Sequence, residues 1–150
     1  MTALERIEDG GVVLAMILRD APAEPGIRFF TPPDYSQQLA CMRHPAGHVI
    51  TPHVHNPVPR AVQYTQEALF LRRGRLRVDF YNTQRSYIES RVLGPGDVIL
   101  LIAGGHGFEV IEEIEMVEVK QGPYAGDMDK TQFPGITAST VRVTKGTGEP

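Results

Sequence analysis

Cysteine is almost missing from this sequence: Cys41 stands alone, so no intrachain disulfide can form. A chain without disulfides suits a reducing compartment. Cys41 itself reads as a small apolar strand residue. An excess of one charge is also lacking. The formal net charge is −3 and the isoelectric point is near 5.9, which gives no reason to expect nucleic acid or anionic lipid as a partner. No stretch approaches the roughly 18–20 apolar residues that cross a bilayer. Met1 to Gly10 carries Glu5, Glu8 and Asp9 and lacks the basic and apolar regions of a secretory signal. The expected location is therefore the cytoplasm. There is no internal repeat, no low-complexity segment and no interdomain linker. The 150 residues are expected to form one domain, 1–150, with enough core to need no covalent staple.

Glycine and proline, by contrast, are plentiful: 15 and 12 residues, spread along the chain. They punctuate it every ten residues or so, which predicts many short strands rather than long helices. Gly11 to Leu18 is an apolar run compatible with a buried strand or a short helix. Ile27 to Phe30 is a short apolar stretch closed by Pro32 and Pro33, and Gln38 to Arg43 reads as a strand. Gly47 to His55 is extended and broken by Pro52. Val62 to Leu71 is a strand with Glu67, Leu69 and Leu71 on one face. Arg73-Gly74-Arg75 reads as a tight turn. Leu76, Val78 and Phe80 then alternate with Arg77, Asp79 and Tyr81, the clearest period-two pattern in the chain. Asn82 to Ser86 is a turn, Tyr87 to Leu93 a strand, and Gly94-Pro95-Gly96-Asp97 a strong turn signal. Val98 to Ile102 is a strand buried on both faces. Phe108 to Ile111 and Ile114 to Val119 read as a last pair of core strands. Gly122 to Pro134 is a polar loop, Val141 to Val143 adds an edge strand, and a flexible tail is expected from about 144 to 150. Eight to ten short strands in one domain predict an all-β fold, an antiparallel barrel or jelly roll.

The chemistry-bearing residues are His53, His55, Glu67 and His106. On an extended strand, residues i and i+2 share a face, so the two imidazoles at 53 and 55 can grip one cation. Glu67 stands on the next strand. His106 follows Gly104-Gly105, where the backbone can approach closely and aim a side chain inward. Three imidazoles and a carboxylate suit Fe, Mn, Ni, Co, Zn or Cu(II), and the donor types alone do not choose among them. Four protein ligands in an octahedral site leave two open positions, as metal catalysis requires.

These residues carry a family resemblance. Gly47-x5-His53-x-His55 followed by Glu67-x6-Gly74 resembles the first cupin motif, and Gly96-Asp97 running to Gly104 and His106 resembles the second. The motif core covers about 47–110. The chain departs from the pattern in four places: the 56–66 insert between His55 and Glu67 is longer than usual, the second motif is one residue short, its usual proline is replaced by Ile102 or Ala103, and its usual terminal asparagine falls at Val110. The resemblance implies a double-stranded β-helix (the cupin jelly roll), commonly a homodimer, with one divalent transition metal at the barrel mouth held by His53, His55, Glu67 and His106.

Other polar residues are weighed against plainer roles. His44 and His48 read as surface histidines. The 56–66 insert is either a lid that supplies Arg60 or Tyr64 or a solvated loop. Arg72, Arg73, Arg75 and Arg77 read as a solvated hairpin tip guarded against edge pairing. Tyr124 and Lys130 are candidate proton donors if the run after Lys120 folds back over the barrel. Their plainer reading is a surface turn. Glu115 and Glu118 read as solvent-facing, and Glu109 is the one glutamate of that strand worth testing near His106.

Three functions are expected to compete. The first is a metal-dependent enzyme on a small polar molecule, of isomerase, epimerase or dioxygenase type. Gly122-Pro123-Tyr124 resembles a phrase of small cupins tied to sugar metabolism and tilts the substrate towards a sugar or polyol. The second is a barrel that binds a metal and a small ligand without turnover. The third is a metal-free barrel in which histidines serve as acid and base.

Overall fold

A computed structural model of the chain describes residues 4–146. Among them lie eight strands: β1 (Leu4–Asp9), β2 (Val12–Leu18), β3 (Gly26–Phe29), β4 (Ala40–Arg43), β5 (Glu67–Tyr81), β6 (Tyr87–Leu93), β7 (Val98–Leu101) and β8 (Gly105–Lys120). The helical pieces among the described residues are two short 3-10 turns, Gly126–Met128 and Ala138–Thr140. Among those residues no helix is long and apolar enough to cross a membrane. The expectation of an all-β chain is met. Its main sheet is antiparallel in the order β1-β2-β7-β5-β6, with β8 also on β5, while β3 and β4 form a separate hairpin. The sheet curls strongly into a half-barrel.

The ambiguous run 12–18 is a strand because both its edges are satisfied. β2 pairs with β1 on one side and β7 on the other, and Leu14 to Leu18 are all buried. β1 itself was not legible as a strand, since Glu5, Arg6, Glu8 and Asp9 mask its apolar positions. The core packs Ile7, Leu14, Ile17, Leu69, Leu71, Leu76, Val78, Phe80, Leu93 and Ile99 on the concave side.

The bend of β5 creates that concavity. Its core residues are odd-numbered at Leu69 and Leu71 and even-numbered at Leu76, Val78 and Phe80. Between them the pairing with β8 slips three times, after Leu71, after Arg73 and after Arg75. Such bulges insert an unpaired residue, bend the strand and exchange its faces. Gly74 lies among them with φ +84°, and a Cβ there would collide with the carbonyl of Glu113. The expected turn at Arg73-Gly74-Arg75 is thus corrected to a bend inside one continuous strand: the glycine kinks the backbone without reversing it. β8 is corrected in the same way. The two strands expected at 108–111 and 114–119 are one bent strand that follows β5 along its length.

Two further corrections concern the segments around it. Arg73, Arg75 and Arg77 do not form a hairpin tip; they face Glu115, Glu112 and Glu109 across the β5–β8 ladder. Residues 44–66 hold no strand, and every residue from 45 to 64 is exposed. Pro45, Pro52, Pro57 and Pro59 remove backbone donors from this stretch.

Polar ties hold the ends of the sheet. In the Gly94 to Asp97 turn, Asp97 accepts the Arg19 Nη1–H at 2.7 Å, the Asp20 amide at 3.0 Å and the Gly94 amide at 2.9 Å. Arg19 also meets Glu5 at 2.7 Å. Burial alone would lower the Arg19 pKa, but the contacts with Glu5 and Asp97 outweigh it and hold the guanidinium above its usual value. The 133–144 segment is strapped across the barrel. Phe133 stacks edge-on against Tyr81 at 5.0 Å, the Ile136 amide donates to the Tyr81 hydroxyl at 3.0 Å, and Val143 bridges Ser90. Of the expected flexible tail, Thr144 is hydrogen-bonded to Glu89 and Arg91, and residues 147–150 lie outside the described ones.

Asp97→Ala removes the buried carboxylate that accepts three bonds at the Gly94 to Asp97 turn. It should lower stability by about 2–3 kcal/mol, the penalty for stranding buried donors, whereas Asp127→Ala on the exposed loop should stay within about 0.5 kcal/mol. Gly74→Ala should destabilise by about 1–3 kcal/mol, the range for forced backbone strain. Gly94→Ala, with ordinary φ and nothing within 4 Å of its Cβ, serves as its control. Urea denaturation of the four variants checks both; equal midpoints for Gly74→Ala and the wild type would reject the bend argument.

Candidate functional site

Glu67 opens β5 and points to the concave side with Leu69 and Leu71, as the odd-numbered spacing predicts. Leu101 of β7 is its neighbour on one side and Lys120 of β8 on the other. His106 stands across from Phe80, thirteen residues further along β5. At about 3.3 Å per residue those positions would lie roughly 40 Å apart on a flat sheet. The curl and the short 102–104 connection bring them together instead: His106 Nε2 is 3.5 Å from Glu67 Oε2.

The glycine pair before His106 has the role expected of it. Gly104 takes φ +69°, and a Cβ there would strike the Tyr81 carbonyl; one at Gly105 would press on the Phe133 ring. Only a backbone without side chains can turn this closely and aim His106 inward.

The other Glu67 oxygen, Oε1, lies 3.4 Å from Lys120 Nζ, and that ammonium is 3.2 Å from Asp129 Oδ2. The Thr65 hydroxyl donates to the second Asp129 oxygen. The result is a chain of contacts, His106–Glu67–Lys120–Asp129, at one end of the half-barrel, with the ammonium set between two carboxylates. The contact with His106 lowers the Glu67 pKa most; burial opposes it, and Lys120 adds to the lowering. Asp129 first and Glu67 second hold Lys120 above its usual value. The Thr65 hydroxyl, then Lys120, hold Asp129 below its own. Glu67 and Asp129 are therefore carboxylates and Lys120 an ammonium at neutral pH.

His53 and His55 lie apart from this cluster on the exposed 45–64 segment. Their rings meet edge-on with centroids 5.2 Å apart. The expectation of a shared strand is not met, since no strand forms there, but the two imidazoles are neighbours. His53 Nδ1 lies 2.9 Å from the Thr51 carbonyl. When Nδ1 carries the proton and donates it there, Nε2 is left as a free donor atom, the usual orientation of a metal-binding imidazole.

The fold thus gathers the four predicted ligands into two pairs. Two ligands of one ion, each bonded at about 2.0–2.2 Å, stand a little over 3 Å apart, so the spacing of Glu67 and His106 suits a shared ion. Two donors fall short of the three or four that resident metals use. Among the described residues, no three His, Cys, Asp or Glu side chains form a group able to hold a metal ion. The donor chemistry fits a transition metal only when the His53–His55 pair joins Glu67 and His106.

The remaining candidates are placed as follows. Tyr124 is 90% exposed and Lys130 is exposed; the lysine at Glu67 is Lys120. Glu109 pairs with Arg77 at 2.5 Å and, one residue out of phase with Phe108 and Val110, lies off the concave face. Glu115 and Glu118 are exposed. Tyr64 is 77% exposed and Arg60 is exposed. His44 and His48 stack face to face, ring centroids 4.1 Å apart, on either side of the Gly47 bend. The sequence reading missed Lys120, Asp129 and Thr65. The sequence carries no local signal for Lys120: it stands two residues beyond Glu118, in phase with a position that reads as solvent-facing, and only the register with β5 brings it to Glu67.

No protein-family model matches this chain, and neither a curated protein nor a solved structure matches it.

Lys120→Met cuts the tie between Glu67 and Asp129. The ammonium is about one third exposed, so the global loss should be no more than about 1 kcal/mol. Amide exchange in the 126–130 turn should accelerate by a larger factor, because that turn loses its charged anchor. Hydrogen exchange unchanged in 126–130 would show that the turn does not depend on Lys120.

Proposed function

We propose that this chain is a cupin-type barrel, of the double-stranded β-helix kind, with one mononuclear transition-metal site at its mouth. Glu67 and His106 supply the barrel half of the ligand set, and His53 and His55 supply the other half from the 44–66 arm when it lies along β8. The reading extends to a metal-dependent enzyme on a small polar substrate, such as a sugar or polyol, of isomerase, epimerase or oxygenase type. The observation that carries it is the 3.5 Å approach of His106 to Glu67 from opposite ends of a long strand pair, at the open end of a curled sheet. Nothing in the packing of the core requires a histidine and a carboxylate there.

A bound divalent ion would polarise a carbonyl or hydroxyl oxygen of the substrate. The chain's own residues have separate tasks. Lys120 presents an ammonium beside the metal-facing carboxylate and can hold an anionic or hydroxyl oxygen in place. Asp129 and Thr65 fix that ammonium from behind. Phe108 and Val110, on the concave side of β8, offer an apolar wall to the carbon skeleton of a ligand.

A second reading is favoured by the same contact. Glu67 and His106 are already within reach of each other without any third ligand, as an acid–base pair needs to be. In that case the pair shuttles a proton on the bound substrate and no metal takes part.

Elemental analysis of protein purified without a tag separates the two. The metal reading expects close to one divalent ion per chain, lost in both His106→Ala and His53→Ala. Retention in His53→Ala would confine binding to the barrel half. A wild-type protein that takes up no ion from a panel of divalent metals would remove the metal reading and leave the acid–base one.

A further inference from the structure

The concave face is unfinished on its β8 side. Val78 and Leu76 are fully buried, yet their cross-strand partners Phe108 and Val110 are 42% and 53% exposed. β8 pairs with β5 along one edge, and its other edge has no partner strand among the described residues. A sixteen-residue edge with apolar side chains left open is a strong template for another strand.

The arm is the matching piece. Residues 45–64 touch nothing that buries them, and Val49, Ile50 and Val54 are 77%, 56% and 84% exposed. From Tyr35 to Gln66 there is no Asp or Glu, while Arg43, Arg60 and four histidines lie in that stretch. β8 carries five glutamates. Glu109, Glu112 and Glu115 are paired with arginines of β5; Glu113 and Glu118 have no cationic partner among the described residues. The arm brings no carboxylate to the glutamate-rich edge, and both pieces carry exposed apolar side chains. Two β8 edges brought together would instead set glutamate against glutamate.

The arm's root is fixed where it leaves the barrel. Gln37 donates from its amide and side chain to Gln66, both at 3.3 Å, and β4 is already paired with β3. Held at both ends, the arm leaves the barrel and returns to it as a loop. In the single chain that loop stays off its own β8, with every residue from 45 to 64 exposed.

We infer that two copies of this chain exchange arms, each laying residues 47–56 along the free β8 edge of the other, so that His53 and His55 of one copy approach Glu67 and His106 of its partner. The exchange is reciprocal, so a two-fold dimer satisfies both edges at once. The placement of the histidines rests on the ligand set proposed above. The exchange itself rests on the open edge and the arm.

The test uses the full chain in a Cys41→Ser background. One preparation carries Val54→Cys, a second Phe108→Cys, and the two are mixed, unfolded, refolded and treated with a short bis-maleimide. Exchange expects a double-mass species joining residue 54 of one chain to residue 108 of the other, and a dimer in sedimentation at tens of micromolar. Val49→Glu with Val54→Glu sets carboxylates against the β8 glutamates and should weaken the dimer at least tenfold, while the circular dichroism stays unchanged because both side chains are exposed in the single chain. Monomeric sedimentation would overturn the inference. So would a chain bearing both cysteines that links only to itself. Metal content read on the same samples keeps the two proposals apart: a metal-loaded monomer retains the metal site and removes the exchange, and a metal-free cross-linked dimer does the reverse.

Discussion

Everything in this structure that is not local depends on the bend shared by β5 and β8. A strand of fifteen residues would ordinarily traverse a small domain and leave its ends far apart. Here the register slips between Leu71 and Leu76, the inward face changes from odd to even positions, and the two halves of the strand join different parts of the curled sheet. The first half pairs with β7 and the second with β6, so one bent strand serves both walls. The constraint is steric. At Gly74 the partner strand's carbonyl occupies the space a Cβ would need, so a side chain there pushes β8 away. The approach of His106 to Glu67 is the distant product of that local contact.

The ion pairs of the molecule divide by burial into two kinds. The Arg73–Glu115 and Arg75–Glu112 pairs on the outer face are more than half exposed at both ends, where such pairs contribute little to stability. Their effect is on register: a slip of β8 by one residue would break both pairs and set Arg73 beside Ile114 or Met116. Arg77 is different. Its guanidinium is 15% exposed and meets Asp79 at 2.8 Å, and Asp79 accepts the buried Ser90 hydroxyl at 2.5 Å. Tyr87 shares that Ser90 oxygen at 2.7 Å and receives the Arg142 amide at 2.8 Å. This polar chain, buried at Asp79 and Ser90 and open at Arg142, fastens the C-terminal segment across β6. Loss of a member at its buried end is costly.

The sequence made the strands legible wherever alternation or a sealed apolar run dominated, as at 76–81, 87–93 and 98–101. Glycine was read less well because it has more than one use. At Gly94 to Asp97 it marks a real turn, whereas at Gly74 it marks a bulge. The distinguishing signal was the change of parity from Leu69 and Leu71 to Leu76, Val78 and Phe80: a turn ends one pattern and starts another in a new strand, and a bulge shifts phase within one. Of the site, Glu67 and His106 were legible as residues, and their meeting was not, because it depends on curvature rather than spacing. Lys120 and Asp129 read only as members of a polar run after the last core strand, because nothing local relates them to Glu67; Lys120 reaches it by cross-strand pairing over more than fifty residues, and Asp129 reaches it through Lys120.

The separation of the site into two halves has a thermodynamic consequence for whatever binds there. Glu67, His106 and Lys120 stand on paired strands, so little further ordering is needed to use them. The histidines at 53 and 55 stand on about twenty exposed residues, and fixing such a stretch costs on the order of 1 kcal/mol per residue in backbone entropy. If the proposed site forms by seating the arm on the β8 edge, burial of Val49, Ile50 and Val54 together with Phe108 and Val110 would offset part of that cost, at about 25 cal/mol per Å². Backbone bonds along the open edge would offset a further part. A bound ion would then have to supply only the remainder, and its apparent affinity would measure how well the arm seats on the edge. Residues far from the metal, such as Val49 or Glu118, would then tune the site as strongly as a ligand's own neighbours, because they act on the closure from which the ligand set is assembled.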